Sequence, residues 1–311
     1  MLRGGPAVGL IVLQRVGQTL IVLWIVTLMV FGLARLTGDP TPLVVPAEAT
    51  EADRTFFREQ YGLDKPVPIQ YAIFLRNVLR GDFGISFRYR EPAIQLVSNA
   101  IAPTLKLTGL AMLIAVLIGV PLGILAAVFR HGWTARVINF YASLGQAIPS
   151  FWLGLMLILI FAINLGWLPS SGYGRVANYV LPALTLSFYT SASILRLTTA
   201  NMQEALKSDF VHMERVLGLG EMRIVVKHAL RNASLPIVTY MGLQFGLLLG
   251  GAIVTERVFA WPGIGQTIVE AILSRDYPVI QATVLVTAVM IMIINFTVDM
   301  LYLVLDPRVR A

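Results

Sequence analysis

Three histidines, His131, His212 and His228, and a thin scatter of carboxylates are the groups in this chain that could bind a metal or move a proton. Their spacing builds no site. No H-E-x-x-H pair occurs, and no serine, histidine and acid stand in a nucleophilic arrangement. The absence of cysteine removes disulfides and thiolate metal ligands. No Gly-Lys dipeptide occurs, so the phosphate-cradling loop G-x-x-x-x-G-K-S/T is missing and ATP cannot be hydrolysed here by that route. No catalytic residue, metal site or bound cofactor is expected. What remains is mechanical chemistry: surfaces that receive a push and helices that move.

One segment has that character. Residues 204–232 are charged and lie between two long apolar runs. Ser208 and Asp209 are N-cap residue types, and Phe210, Met213 and Leu217 then recur on one helical face. Gly218, with Leu219 and Gly220, stops the helix, because glycine accepts the left-handed backbone of a helix end. A second helix follows, with Met222, Val225, Val226, Ala229 and Leu230 on its apolar face and Glu221, Arg223, Lys227 and Arg231 on the other. The pattern describes a folded docking surface at a membrane face. It equally fits a helix pair lying on the lipid headgroups.

The elements that must position this segment are membrane spans. Hydrophobic residues make up 57% of the chain and charged residues 13%, against about 25% charged in soluble domains; mean hydropathy is +0.75. Six stretches lack Asp, Glu, Lys and Arg over a length that crosses a bilayer: 16–34, 107–129, 137–174, 176–195, 232–255 and 277–298. The third is too long for one span and must contain a loop. Pro121, Pro149 and Pro182 are expected to kink or start spans. No broken helix at the membrane midplane and no internal repeat is evident. The first stretch has no small-x-small cleavage site before Arg35 and is expected to be retained.

Arg130 and Arg136, then Lys207, Arg215, Arg223, Lys227 and Arg231, and finally Arg308 and Arg310 mark cytoplasmic loops and tail, which places both termini in the cytoplasm. The opposing signal is segment 35–100, which carries eight Lys or Arg residues; long loops translocate largely regardless of charge. The net charge of +7 therefore faces anionic lipid or a partner protein and requires no nucleic acid. Segment 36–100 is expected to be a small extracytoplasmic insertion broken by Pro40, Pro42, Pro46, Gly62, Pro66 and Pro68, with helices over 55–61 and 70–79. It is either a lid packed on the spans or a contact surface for another protein. The whole chain, 1–311, is read as a single transmembrane domain.

Several strings spread over nearly the whole chain resemble the permease subunits of ABC importers, in the branch that handles dipeptides, oligopeptides and nickel. They are GDP at 38–40, YGLD at 61–64, Gln70-Tyr71, GDFG at 81–84, IPSFW at 148–152, DFV at 209–211, Gly218 and HALRNASLP at 228–236. Gly250-Gly251, ERVFAWPGIG at 256–265, RDYP at 275–278, Asn295, DMLY at 299–302 and DPR at 306–308 complete the series. The resemblance implies an all-α, six-span type I importer fold in the cytoplasmic (inner) membrane. It implies a second homologous permease, two ATPase subunits carrying ATP and Mg, and a solute-binding protein that delivers the substrate, di- or oligopeptides first. Nickel chelates, oligosaccharides and opines are also handled by relatives, and no residue separates them. By the same resemblance, Ser208, Asp209, Phe210, Met213, Glu214, Leu217 and Gly218 form the coupling helix and turn that dock in an ATPase groove. The sequence departs from the family at Glu214, usually a small residue, and at Leu217, usually basic. The alternative class is an ion- or proton-coupled secondary transporter.

Polar residues inside the spans admit two readings. Ser187, Thr190 and their neighbours on the fourth stretch, with Gln146 and Gln244, either join helices or line a translocation path. Lys106, Arg196 and Asp299 are placed near span ends, where side chains reach water. Glu256, Phe259, Trp261 and Pro262 open a segment that Pro262, Gly263 and Gly265 make irregular; it is either an outer gate or an interfacial anchor with Phe259 and Trp261 in the aromatic belt.

Overall fold

The computed structural model describes residues 6–36, 41, 45, 49–60 and 64–305. The strings at 38–40 and 306–308, Tyr61 to Leu63, Pro42, Pro46 and Arg310 lie outside the described residues, as does the side chain of Asp299. Eleven helices are used here: α1 (Pro6–Leu36), α2 (Glu51–Gln60), α3 (Val67–Leu79), α4 (Ala93–Val128), α5 (Trp133–Ala147), α6 (Ser150–Asn164), α7 (Val176–Leu206), α8 (Asp209–Val216), α9 (Glu221–Val258), α10 (Ile264–Leu273) and α11 (Tyr277–Leu305). Five are long and apolar enough to cross a membrane, with α1 contributing Leu13–Leu33 and α11 Tyr277–Val298; α5 and α6 together make a sixth, bent by 104°.

That bend falls at Pro149, where a kink or a span start is expected, and it shows a broken helix that the sequence did not make evident. Ile148 precedes Pro149 and is held extended at φ −82° and ψ 121°, because the proline ring clashes with a helical preceding residue. Pro149 then starts α6, which ends in a π-helical stretch, Ile158–Asn164. Pro121 and Pro182 instead sit inside α4 and α7.

The chain forms two compact units. One holds 103–262 and 293–311. Its centre is α7, two-thirds of whose apolar window is buried. Small residues let other helices approach it closely. A Cβ added at Gly119 would lie 2.7 Å from the Ser191 carbonyl oxygen, one at Gly123 2.6 Å from Thr198 Cβ, and one at Gly145 2.5 Å from Ala192 Cβ. Gly119 and Gly123 are a G-x-x-x-G pair, a spacing that stacks both on one helix face. The buried hydroxyls of α7 bond mostly to their own helix: Thr185 donates to Leu181 O, Thr190 to Leu186 O and Ser191 to Phe188 O. Ser191 also meets the Tyr141 hydroxyl at 2.6 Å. Arg196 lies ten residues before the end of α7 and donates to Ser143 Oγ at 3.3 Å. Lys106 lies in the first half of α4.

The other unit holds 1–102 and 263–292. In it, Phe31 of α1 packs against Tyr71 and Phe74 of α3, and Thr27 and Tyr71 share a hydrogen bond of 2.9 Å. The helices of the insertion begin earlier than expected. Thr50 and Asp53 exchange hydrogen bonds in a capping box that starts α2 at Glu51, and these bonds hold the Asp53 carboxyl below its usual pKa. Pro66 and Pro68 likewise open α3 at Val67.

The connection from α3 to α4 is tied down by one buried carboxylate. Asp276, 1% exposed, accepts from Ser86 Oγ at 2.5 Å and from the backbone N–H groups of Phe87 and Arg88 at 3.1 and 3.3 Å. Ser86 Oγ in turn accepts the Tyr89 N–H, and the Tyr89 hydroxyl reaches Glu270 at 3.1 Å. Burial, then that bond, pushes the Tyr89 pKa up.

Two outcomes test this packing. Gly123→Val overpacks the α4–α7 seam at about 1–3 kcal/mol and lowers the thermal midpoint of the purified protein, whereas Gly109→Ala, with open space at its Cβ position, leaves it unchanged. Asp276→Ala removes three acceptor contacts, each worth about 1.5–3 kcal/mol when an ionised group takes part, and amide exchange at Phe87 and Arg88 rises at least tenfold.

Candidate functional site

The loop between α7 and α9 folds into α8, and its ends follow the local rules in part. Ser208 occupies the N-cap with extended φ and ψ, but its hydroxyl donates back to Ala205 O at 2.5 Å and does not cap the N–H groups of the first turn. Asp209 places a carboxylate in that turn, which suits the positive end of the helix. At the other end Gly218 sits at φ +77°. Its N–H bonds to Arg215 O and the Leu219 N–H to Glu214 O, the paired closure of a Schellman turn.

α8 is two-faced. Val211 is fully buried, while Phe210, Met213, Val216 and Leu217 are 38%, 60%, 71% and 72% exposed. Phe210, Met213 and Leu217 thus stand free along one edge. Glu214, one turn on from Phe210, is largely buried and meets His228 of α9, Oε1 to Nδ1, at 2.8 Å. Arg215 bonds Glu221 through two nitrogens, at 2.6 and 3.2 Å, which raises the arginine pKa. Beside α8 lies a polar recess of about 490 Å³, whose lining includes Arg130, Lys207, Asp209 and His212.

The second helix departs from the expected face. Met222 and Val226 are exposed at 77% and 54%, while Ile224, Val225 and Ala229 are buried. The cause is a π-helical segment, Ile224–Ala229, whose i→i+5 bonds turn successive residues through a smaller angle than the periodicity assumed.

A second cluster forms where α9 ends. Glu256 is fully buried and accepts from Thr104 Oγ1 at 2.6 Å. The chain turns at Phe259 and Ala260, the latter at φ +49°, and the Trp261 N–H closes onto Glu256 O at 2.8 Å. The Trp261 indole donates to Pro103 O at 3.1 Å and meets the rings of Tyr173 and Tyr179 edge-on, at centroid distances of 4.9 and 4.6 Å. Lys106 Nζ lies 3.5 Å from the Tyr173 hydroxyl. Phe259 and Trp261 are 1% and 0% exposed, so they are interior residues and not an aromatic-belt anchor. The irregular stretch is also shorter than expected: Pro262 is exposed, but Gly265 already belongs to α10.

The path candidates divide. Gln146 is exposed near the end of α5, Ser187 and Thr190 are buried in α7, and Gln244 is buried in α9, where it donates to the Tyr240 hydroxyl at 2.5 Å. Among the described residues no hydrogen bond joins any two of the four. Sequence reasoning missed His228 as a partner of α8, Thr104 beneath Glu256, and the Ser86–Asp276 tie. No local signal announces these, since each pair is far apart in sequence. The Gly119–Gly123 spacing, by contrast, is a local signal.

Comparison with known proteins places these features in a family. Residues 119–311 match the model described as "Binding-protein-dependent transport system inner membrane component", and residues 9–108 match the N-terminal model of such membrane components. The "Glutathione transport system permease protein GsiC" of Pectobacterium atrosepticum is 44% identical over 289 residues, covering 93% of this chain and 94% of that protein. The proteins of the same name from Salmonella choleraesuis and Escherichia coli K12 are 42% and 41% identical over 300 residues, covering 96% of this chain and 98% of each relative. In fold, the chain resembles two inward-facing crystal forms of the MetNI methionine ABC transporter, with TM-scores of 0.60 and 0.58 at 20% identity, over 68% of this chain and 97% of each neighbour.

The chain belongs to the inner-membrane permease family of binding-protein-dependent ABC importers. It is a multi-pass inner-membrane permease and not an enzyme, and ATP hydrolysis resides on separate subunits. Family membership sets aside the secondary-transporter alternative, although the bent α5–α6 pair is a broken helix of the kind such transporters contain.

The Schellman turn gives a direct expectation. Gly218→Val forces a β-branched side chain into a left-handed conformation at about 1–2 kcal/mol, so amide exchange in the last turn of α8 rises about tenfold.

Proposed function

We propose that this chain forms half of a translocation pathway for small peptides of glutathione size, paired with a homologous permease, driven by two ATPase subunits and supplied by a solute-binding protein. The observation that carries the proposal is the unpartnered apolar edge of α8: Phe210, Met213 and Leu217 stand exposed on a helix whose adjoining side is anchored through Val211 and Glu214. Exposed aromatic and aliphatic knobs of this kind fill grooves on a partner. The glutathione systems named for relatives that match nearly end to end support the solute class. ATP and Mg are held by the ATPases, and this chain binds no cofactor.

In this reading the cytoplasmic side carries both termini, α8 and the basic loops, in accord with the excess of Arg and Lys there. Closure of the ATPases on ATP pushes α8, and the attached spans move as rigid bodies between inward- and outward-open states. Ser208 and Asp209 begin the docking helix, and Gly218 lets the chain turn sharply away behind it. Glu256, Phe259, Trp261 and Pro262 form the outer gate, a turn pinned by the Thr104 and Pro103 contacts. Of the path residues, Gln146 is accessible with the chain by itself; Ser187, Thr190 and Gln244 reach the solute when α7 and α9 part.

Two measurements test this. Phe210→Ala lowers co-purification of the ATPase subunits by about tenfold or more, as expected for an aromatic anchor; undiminished association counts against the docking role. The complex reconstituted in proteoliposomes takes up labelled glutathione in a vanadate-sensitive manner when its binding protein is present. Uptake by this chain alone on a proton gradient refutes the proposal, and uptake of a nickel chelate in place of glutathione refutes the solute class.

A further inference from the structure

Glu214 is a largely buried carboxylate on α8, and the structure gives it one partner. Its Oε1 lies 2.8 Å from His228 Nδ1, so the imidazole donates across the gap between α8 and the π-helical segment of α9. The two side chains are 17% and 28% exposed. Their remaining polar atoms, Glu214 Oε2 and His228 Nε2, are buried with no hydrogen-bond partner among the described residues. Each side chain therefore has its one polar partner in the other.

The pair sits where force must pass from helix to span. Val211 on α8 and Ile224 and Val225 on α9 are buried. Such apolar contacts resist separation but not sliding, because dispersion and the hydrophobic effect are non-directional. A hydrogen bond from an imidazole N–H to a partly buried carboxylate is directional and weakens steeply when bent. The second tie, Arg215 to Glu221, spans only six residues and its side chains are 40% and 64% exposed, so solvent screens it and it braces the turn, not the span. The π segment matters too. Its i→i+5 register sets the side-chain directions of the residues from Ile224 to Ala229, His228 among them, and π turns recur at functional positions.

We propose that Glu214 and His228 are positioning residues: a strut that locks α8 to α9 and makes a push on α8 move the fifth span. The inference rests on α8 being the docking helix.

The test uses the full reconstituted complex with its ATPases and binding protein, and reads three quantities: ATPase co-purification, ATP hydrolysis, and glutathione transported per ATP hydrolysed. Glu214→Ala and His228→Ala each lower the transport-to-hydrolysis ratio about tenfold while the ATPases still co-purify, and the double variant is no worse than either single one. Glu214→Gln, which keeps an oxygen acceptor for Nδ1–H, retains the ratio within about twofold. If the single variants fail to assemble, the exchanged pair Glu214→His with His228→Glu decides: recovery of assembly and ratio supports the strut, and failure to recover overturns it. An unchanged ratio in the single variants, or additive losses in the double variant, also overturns it. Loss of the docking reading looks different: Phe210→Ala then leaves ATPase association intact whatever Glu214 and His228 do.

Discussion

Everything in the larger unit depends on how closely other helices approach α7. Lipid tails are as apolar as leucine, so helices in a bilayer are not driven together by burying apolar surface; close packing and internal hydrogen bonds must do it. Gly119, Gly123 and Gly145 supply the proximity. Thr185, Thr190 and Ser191 supply polarity that is already satisfied on their own helix. Ser191, one of the hydroxyls that read as solute path or interhelical link in sequence, also joins α7 to α5 through Tyr141. The two roles are compatible in a transporter, since a wall that separates must also close.

The loop between α7 and α9 follows a different logic. Its short helix is held by a glycine-closed turn, a buried valine and hydrogen-bonded side-chain contacts with α9. This arrangement frees one apolar edge. An amphipathic helix normally buries its apolar side; α8 buries Val211 and leaves Phe210, Met213 and Leu217 uncovered. That inversion leaves an apolar edge open.

Two other clusters, around Asp276 and around Glu256, use one device. A buried carboxylate accepts bonds from a segment far away in the chain and so fixes an irregular loop. Removing such a partner leaves a charge or donor unsatisfied in a poor solvent, so each cluster resists piecemeal loosening and moves, when it moves, as a block.

The sequence by itself determined the class. Charge-free runs of bilayer length, missing nucleotide and metal motifs, and an amphipathic loop between spans are local properties that periodicity and composition report directly. It also placed Ser208 at a helix start and Gly218 in a left-handed turn, because caps act within a few residues. Tertiary structure alone decided the 104° angle of the break at Pro149, the rotated face of α9 and the burial of Phe259 and Trp261. It alone paired Glu214 with His228, Ser86 with Asp276 and Thr104 with Glu256. These depend on backbone register and on contacts between residues 14 to 190 positions apart, and a pattern read along one strand of sequence carries no distance across it.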